Sequence, residues 1–177
     1  MKNPFESLNS LFKSEKPPER RTLRHPQERE IIEIALNNLY LSDMGNKLAE
    51  FANKYEIKTS VLRAKDSRDY IATSKTVTIS VAEDVPVNDP SITLWLAGAL
   101  RESSQEYDPH LKRVSLQNGE TIYFHREQKK LEDKLFWQTG VAYELGKLAN
   151  KPEFIDSFIV MGYYSLIEAY EKDLNKN

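Results

Sequence analysis

The residues with suitable chemistry for a catalytic or metal site are few and scattered. His110 and His125 each have a glutamate within eight residues, Glu102 before the first histidine and Glu132 after the second. Imidazole and carboxylate groups are ligands that zinc, iron and manganese accept. If these four side chains converged, they would form a metal site able to support hydrolysis. Nothing in their spacing forces convergence, so this arrangement is one alternative among several.

Glu102 belongs to a stretch with the periodicity of a buried helix. Asp89 is a suitable N-cap, and Pro90 is a suitable first helical residue. The predicted inward stripe consists of Ile92, Trp95, Leu96 and Ala99. Glu102 continues this stripe and is expected to pair with a cation such as Arg63, Arg126 or Lys129. Gly98 and Ala99 are small enough to let a neighbouring element approach closely.

The rest of the chain predicts the elements around this helix. Apolar residues recur at helical spacing within 27–42 and 43–56, and either Ser42 or Asp43 is suited to cap the second of these helices. β-branched stretches at 57–64 and 70–82 favour strands, and a break near Ser74-Lys75 would make the second stretch a hairpin. Two long helices follow, at about 126–149 and 152–174, and the Asn118-Gly119 pair marks either a hairpin or a loop that leads into a helix. Predicted inward-facing residues include Ile32, Leu39, Ile71, Val77, Leu131, Val141 and Leu148.

These elements predict a mostly helical α+β fold. Two N-terminal helices precede a small antiparallel sheet, which is followed by the Pro90 helix and two further long helices. Residues 27–177 are expected to form one domain, since this length is sufficient for a substantial core.

This order of elements resembles that of small zinc metallopeptidases, in which the helix after the sheet carries HExxH. In a family of bacterial zinc metallopeptidase-like domains the helix reads like LAHELRHAWQ, and residues 96–105 here read LAGALRESSQ. The pattern is retained at Leu96, Ala97, Leu100, Arg101 and Gln105. The resemblance extends over residues 30–150 and implies a zincin-like helix.

The chemical residues of that family are absent at the matching positions. Gly98 replaces the first histidine, Ala99 the general base and Glu102 the second histidine. Downstream, LEDKLFWQ resembles the family's EADAxAxQ, and Leu131 falls at the third ligand position with Glu132 one residue away. A catalytic zinc needs three protein ligands. The resemblance therefore implies a degenerate member without a cofactor, a metal or a catalytic residue, acting as a protein-binding or scaffold module.

Two other functions compete with this one. An active metal-dependent hydrolase would use the rearranged set Glu102, His110, His125 and Glu132, and an unrelated helical interaction domain would make the likeness accidental. For a protein partner, whose identity the sequence does not give, an aromatic surface on the C-terminal helices is a candidate. Its predicted members are Trp137, Tyr163, Tyr164 and Tyr170.

Composition limits the remaining classes. The net charge of −2 gives no global field for nucleic acid or anionic membrane, and the chain has no cysteine for disulfides or thiolate metal sites. No apolar run approaches the roughly 20 residues of a transmembrane helix. We therefore expect a cytoplasmic protein without nucleic-acid or membrane partners.

Residues 1–26 are predicted to be a flexible, basic and proline-containing tail. Pro17 and Pro18 disfavour regular structure, and the interspersed glutamates favour a solvated tail over a nucleic-acid contact. Within this tail, Phe5, Leu8, Leu11 and Phe12 have helical spacing. This spacing indicates either a short docking helix or an apolar stretch without a role, since short apolar stretches are common in tails.

Overall fold

A computed structural model describes residues 26–65, 69–107 and 119–176, apart from the side chains of Pro26 and of residues 119–127. The predicted mostly helical α+β class is confirmed for this part of the chain. Its elements in order are α1 (Pro26–Leu39), α2 (Asp43–Lys54), β1 (Lys58–Ala64), β2 (Asp69–Ala72), β3 (Thr76–Ala82), α3 (Pro90–Gln105), α4 (Gly119–Tyr143), a π-helical segment (Glu144–Leu148), α5 (Glu153–Val160) and α6 (Tyr164–Leu174).

The N-terminal helices begin and pack largely as their sequences predict. Ser42 caps α2 by accepting a hydrogen bond of 2.8 Å from the Gly45 amide. In α1 the buried stripe is Ile31, Ala35 and Leu39, whereas the predicted Ile32 is only half-buried. Spacing of four residues keeps these three side chains on one face, and that face packs against α3 and β1.

The small sheet is mixed, which corrects the expectation that it is antiparallel. β3 lies in the centre, pairing in parallel with β1 and antiparallel with β2. The predicted hairpin within 70–82 forms, and its register places Tyr70 opposite Ile79. Odd-numbered residues of β3 therefore share a face with even-numbered residues of β2. For this reason Ile71 points away from the core and is 67% exposed, contrary to the prediction.

The C-terminal helices differ from the prediction in two ways. α4 begins at Gly119, ahead of the predicted start near Arg126, so the hairpin is wrong and the helix of the alternative interpretation is right. The loop of that alternative falls on residues 108–118, which lie outside the described part. The predicted last long helix is two helices, α5 and α6, separated at Gly162, whose φ of 92° suits glycine.

Two predicted core leucines of the α4 region are exposed. Leu148 is 74% exposed because the π-helical segment widens the last turn and rotates it away from the stripe of Val141 and Leu145. Leu131 is 49% exposed because this part of α4 meets α3 through polar side chains.

Helix α3 is the centre of the fold. It contacts α1, α2, α4, α5 and the sheet, and its buried residues cover nearly the whole circumference. Asp89 caps its first turn by accepting from the Ser91 amide at 2.9 Å, as predicted. None of the helices in the described residues has the length and apolarity needed to cross a bilayer.

Candidate functional site

Gly98 on α3 lies directly beneath the side chain of Gln138 on α4. A β-carbon at position 98 would stand 2.7 Å from the amide carbon of Gln138, so only glycine leaves room for this side chain. The buried Gln138 Nε2 donates a hydrogen bond of 2.9 Å to the Leu94 carbonyl. Gly98 therefore serves close packing between the two helices, and the space beside it is filled by a carboxamide.

Ala99, at the position of the general base in the resemblance, is fully buried. Its methyl group belongs to the apolar core together with Leu96 and Leu100. A methyl group accepts no proton, so this position supplies no acid–base chemistry.

Three polar residues that match the pattern of the resemblance, Arg101, Gln105 and Asp133, form a polar clamp between α3 and α4. Arg101 binds Asp133 through two hydrogen bonds, of 2.6 Å from Nε and 2.9 Å from Nη2. Gln105 Nε2 donates to the same carboxylate at 2.8 Å and to the Lys130 carbonyl at 2.7 Å. The Arg101 guanidinium also lies 5.0 Å from the Trp137 ring centroid. Such a charge-assisted, bidentate arrangement fixes the relative position of the helices.

Glu102 points to another side of α3, into a cluster with Tyr70 and Lys134. The Tyr70 hydroxyl donates to Glu102 Oε2 at 2.8 Å and accepts from Lys134 Nζ at 2.7 Å, and Lys134 Nζ also lies 3.4 Å from Glu102 Oε2. The expectation of a cationic partner is thus right, but the cation is Lys134. Arg63, one of the expected partners, donates instead to the carbonyls of Ala82 and Val85.

The pKa of Tyr70 is raised above its usual value. Burial of the phenol is the largest cause, and its hydrogen bond to Glu102 and the charge of that carboxylate add to it. The phenol therefore keeps its proton at neutral pH and holds Glu102 as a donor. A protonated phenol in this place is a positioning group for the carboxylate.

A polar cleft of about 490 Å³ opens beside this cluster. It lies between the β2–β3 turn, the last turns of α3 and the adjoining part of α4. Its lining residues are Ala72, Thr73, Ser74, Glu102, Gln105, Glu106, Lys130, Leu131 and Lys134. The turn is fixed to α3 because Ser103 Oγ donates to the Thr73 carbonyl at 2.5 Å and the Tyr107 hydroxyl to the Ser74 carbonyl at 2.6 Å.

The structure brings only some of the predicted site positions together. Glu102 and Leu131, the second and third ligand positions of the resemblance, line the same cleft. Gly98 instead lies against Gln138 in the contact between α3 and α4, and Ala99 lies in the apolar core. Glu132 is exposed, and its Oε1 accepts from Gln128 at 2.9 Å.

The rearranged metal site cannot be assembled from the described side chains alone. His110 lies outside the described residues, and so does the side chain of His125. Among the side chains that are described, no three histidine, cysteine or carboxylate residues are grouped so that they could hold a metal ion. The rearranged site therefore stays a prediction.

The predicted aromatic surface is largely involved in packing. Trp137, Tyr163 and Tyr170 are partly buried against the core, and Tyr163 stacks on Phe158 with ring centroids 5.0 Å apart. Of the four aromatic residues only Tyr164 exposes more than half of its surface, at 54%.

Sequence reasoning missed Tyr70 and Lys134. Tyr70 lies in a short edge strand and Lys134 in a mixed stretch of charges, and neither forms a local motif with Glu102. Their only signal is three-dimensional, because they approach Glu102 from elements 32 residues away on either side.

The chain matches no protein-family model, no curated protein and no solved structure. The metallopeptidase resemblance of residues 30–150 is therefore a hypothesis that rests on the sequence pattern. The structure shows where the residues at its four key positions lie: Gly98 against Gln138, Ala99 in the core, and Glu102 and Leu131 at the cleft.

Proposed function

We propose that this protein is a metallopeptidase-like domain that has lost its metal centre and acts as a protein-binding module. The observation that carries this proposal is the Gln138 carboxamide packed over Gly98, where the resemblance places the first metal ligand. With Ala99 buried next to it, neither a ligand nor a general base is available at these two positions. Gly98, Ala99 and Gln138 therefore support a domain that keeps the helix packing of the resemblance and lacks the groups needed for hydrolysis.

The pattern of retained residues supports the same proposal. Arg101, Gln105, Asp133 and Gln138 all take part in hydrogen bonds across the contact between α3 and α4. These bonds hold the two helices in place and require no metal. The small mixed sheet packs against α3, so a purely helical bundle, which would have argued against the resemblance, is not what the described residues form.

The cleft beside Glu102 is the surface we assign to partner binding. It is concave and polar, and its opposing charges are arranged in two pairs, Glu102 with Lys134 and Glu106 with Lys130. In both pairs the glutamate is more exposed than the lysine, at 43% and 47% against 20% and 17%. A polypeptide segment with donor groups would find carboxylate acceptors here, and the hydroxyls of Thr73 and Ser74 add further polar contacts.

Metal content tests the loss of the metal centre. The purified chain is offered zinc, manganese and iron in turn, dialysed, and examined for bound metal and for its thermal melt. We expect no metal to be retained and the melting temperature to be unchanged, because tight binding would raise it by mass action. One metal per chain together with a raised melting temperature would contradict the proposal, and His110→Ala and His125→Ala variants would then test the rearranged site.

Peptide selection tests the binding cleft. A library of displayed random peptides is selected on the intact protein, and the recovered peptides are compared on a Glu102→Gln variant and a Glu83→Gln control, Glu83 being an exposed residue outside the cleft. We expect Glu102→Gln to weaken binding at least tenfold and the control to have no effect. Equal binding to both variants would place the partner surface elsewhere.

A cytoplasmic location and the absence of nucleic-acid and membrane partners belong to this proposal as further expectations. The described residues add only that no helix among them could span a bilayer.

A further inference from the structure

An apolar groove runs between α4 and α6, on a surface separate from the cleft at Glu102. It has a volume of about 230 Å³. Its lining residues are Glu132, Leu135, Phe136, Thr139, Leu166, Ala169, Tyr170 and Asp173. Phe136 is 56% exposed and packs against Tyr170 in a tilted arrangement, with ring centroids 5.6 Å apart. Large apolar side chains exposed in a concave surface mark binding sites for apolar groups.

We propose that this α4–α6 groove binds the N-terminal segment of the same molecule, through Phe5, Leu8, Leu11 and Phe12. These apolar residues recur at intervals of three and four, the sequence pattern of an apolar helix face. Laying the apolar side of a short helix into an apolar groove is a common mode of recognition. The proposal is independent of the function assigned to the cleft.

The size of the groove favours a short segment over a second copy of the domain. A stable dimer usually buries about 800 Å² on each partner. A groove of about 230 Å³ instead accommodates a few side chains. A few apolar side chains on a tether match that capacity.

The chain between the segment and α1 is long enough to reach. Thirteen residues separate Phe12 from Pro26, and an extended chain spans about 3.3–3.6 Å per residue, which gives more than 40 Å. A domain of about 150 residues has a radius of gyration of about 15 Å. The tether is therefore more than twice as long as the radius of gyration, so distant parts of the domain surface lie within its reach. Tethering also gives it an effective concentration in the millimolar range, so a weak contact is sufficient.

The charges at the groove complement those of the segment. Residues 1–26 contain six lysines and arginines and three glutamates, a net charge of +3, so the remainder carries −5 of the total of −2. Glu132 lies at the groove together with Asp173, which also pairs with Lys176 at 3.0 Å. Lys13 and Lys16 directly follow the apolar residues of the segment and would approach these carboxylates.

A disulfide-trapping experiment tests the proposal. Because the chain has no native cysteine, only the introduced pair can form a disulfide. Cysteines are introduced by Ser10→Cys and Lys172→Cys, Lys172 being an exposed residue of α6 beside the groove. We expect rapid formation of an intramolecular disulfide in the full chain at low protein concentration. Adding Phe136→Ser should slow it at least tenfold, whereas Val160→Ser, which changes an 87% exposed apolar residue on α5, should not.

Three outcomes would overturn the proposal. A slow reaction that Phe136→Ser leaves unchanged would mean that the segment does not occupy the groove. A disulfide that links two chains and accelerates with concentration would assign the groove to a second copy. Equal slowing by Phe136→Ser and Val160→Ser would show a general effect of surface apolarity, and circular dichroism of each variant would verify that the fold is retained.

Discussion

Two consecutive residues of α3, Arg101 and Glu102, each form an ion pair with α4, but the two pairs differ in geometry and exposure. Arg101 binds Asp133 through two bonds of 2.6 and 2.9 Å, and the exposed fractions of the two side chains are 16% and 26%. Glu102 lies 3.4 Å from Lys134, with exposed fractions of 43% and 20%. In the first pair both carboxylate oxygens of Asp133 accept hydrogen bonds and the side chains are mostly enclosed, while the second pair faces an open cleft.

The difference teaches which part of the helix contact holds the fold and which part is available for binding. Enclosed charges that are bidentate and hydrogen-bonded stabilise a unique arrangement, and the loss of one partner leaves the other uncompensated. An ion pair open to solvent contributes little to stability. We therefore assign the clamp to structure and the Glu102 cluster to recognition, and substitutions in the two regions should separate these roles.

The largest expected effect is that of Asp133→Ala. It leaves Arg101 and Gln105 without their shared acceptor, and we expect the free energy of unfolding to fall by about 2–3 kcal/mol, as for hydrogen bonds to charged groups. Urea denaturation monitored by circular dichroism gives the value.

Glu83→Ala is the matched control, because Glu83 is an exposed carboxylate outside the clamp. Its free energy of unfolding should stay within about 0.5 kcal/mol of the unsubstituted protein. A loss for Asp133→Ala no larger than that of the control would break the distinction between clamp and cleft.

An intermediate effect is expected for Gly98→Ala. The added methyl group displaces the Gln138 carboxamide and breaks its hydrogen bond to Leu94. The gain in helix propensity, about 1 kcal/mol, offsets part of that cost, so we expect a net loss of about 1–2 kcal/mol.

A double-mutant cycle with Gln138→Ala tests whether the clash with Gln138 causes this loss of stability. If Gln138 causes it, Gly98→Ala should be neutral or stabilising once Gln138 is replaced by alanine. A loss of the same size in both backgrounds would mean that something other than Gln138 fills the space beside Gly98.

The smallest effect belongs to the cleft and appears at alkaline pH. Because the pKa of Tyr70 is raised in the folded protein by burial and by Glu102, the unfolded chain releases this proton first, near pH 10. Unfolding therefore releases a proton above that pH, and stability should fall as the pH rises. Tyr70→Phe should make the fall less steep, as measured by urea midpoints between about pH 8 and pH 11.

Tyr40→Phe serves as the control for this measurement, since Tyr40 is 49% exposed and lies outside the cleft. Its pH dependence should match that of the unsubstituted protein. If Tyr70→Phe also matched the unsubstituted protein, burial and Glu102 would not raise the pKa of the Tyr70 phenol as described.

Much of the α+β architecture could be predicted because it depends on local periodicity. The caps at Ser42 and Asp89 and the β2–β3 hairpin follow from neighbouring residues. The parallel pairing of β1 with β3 could not be predicted, because strand order depends on contacts between residues about 18 positions apart. The exposure of Leu148 was missed because a π-helical segment shifts the helical phase without a sequence signal.

The candidate site also has features that follow from the sequence and features that depend on the tertiary structure. The sequence determined which chemical groups stand at each position, so glycine and alanine at 98 and 99 exclude a ligand and a base whatever the fold. Only the tertiary structure decided that Gln138 fills the space over Gly98 and that Tyr70 and Lys134 meet at Glu102. The physical reason is that composition and periodicity act over a few residues, whereas these contacts join side chains 32 to 64 residues apart once the helices and the sheet have packed.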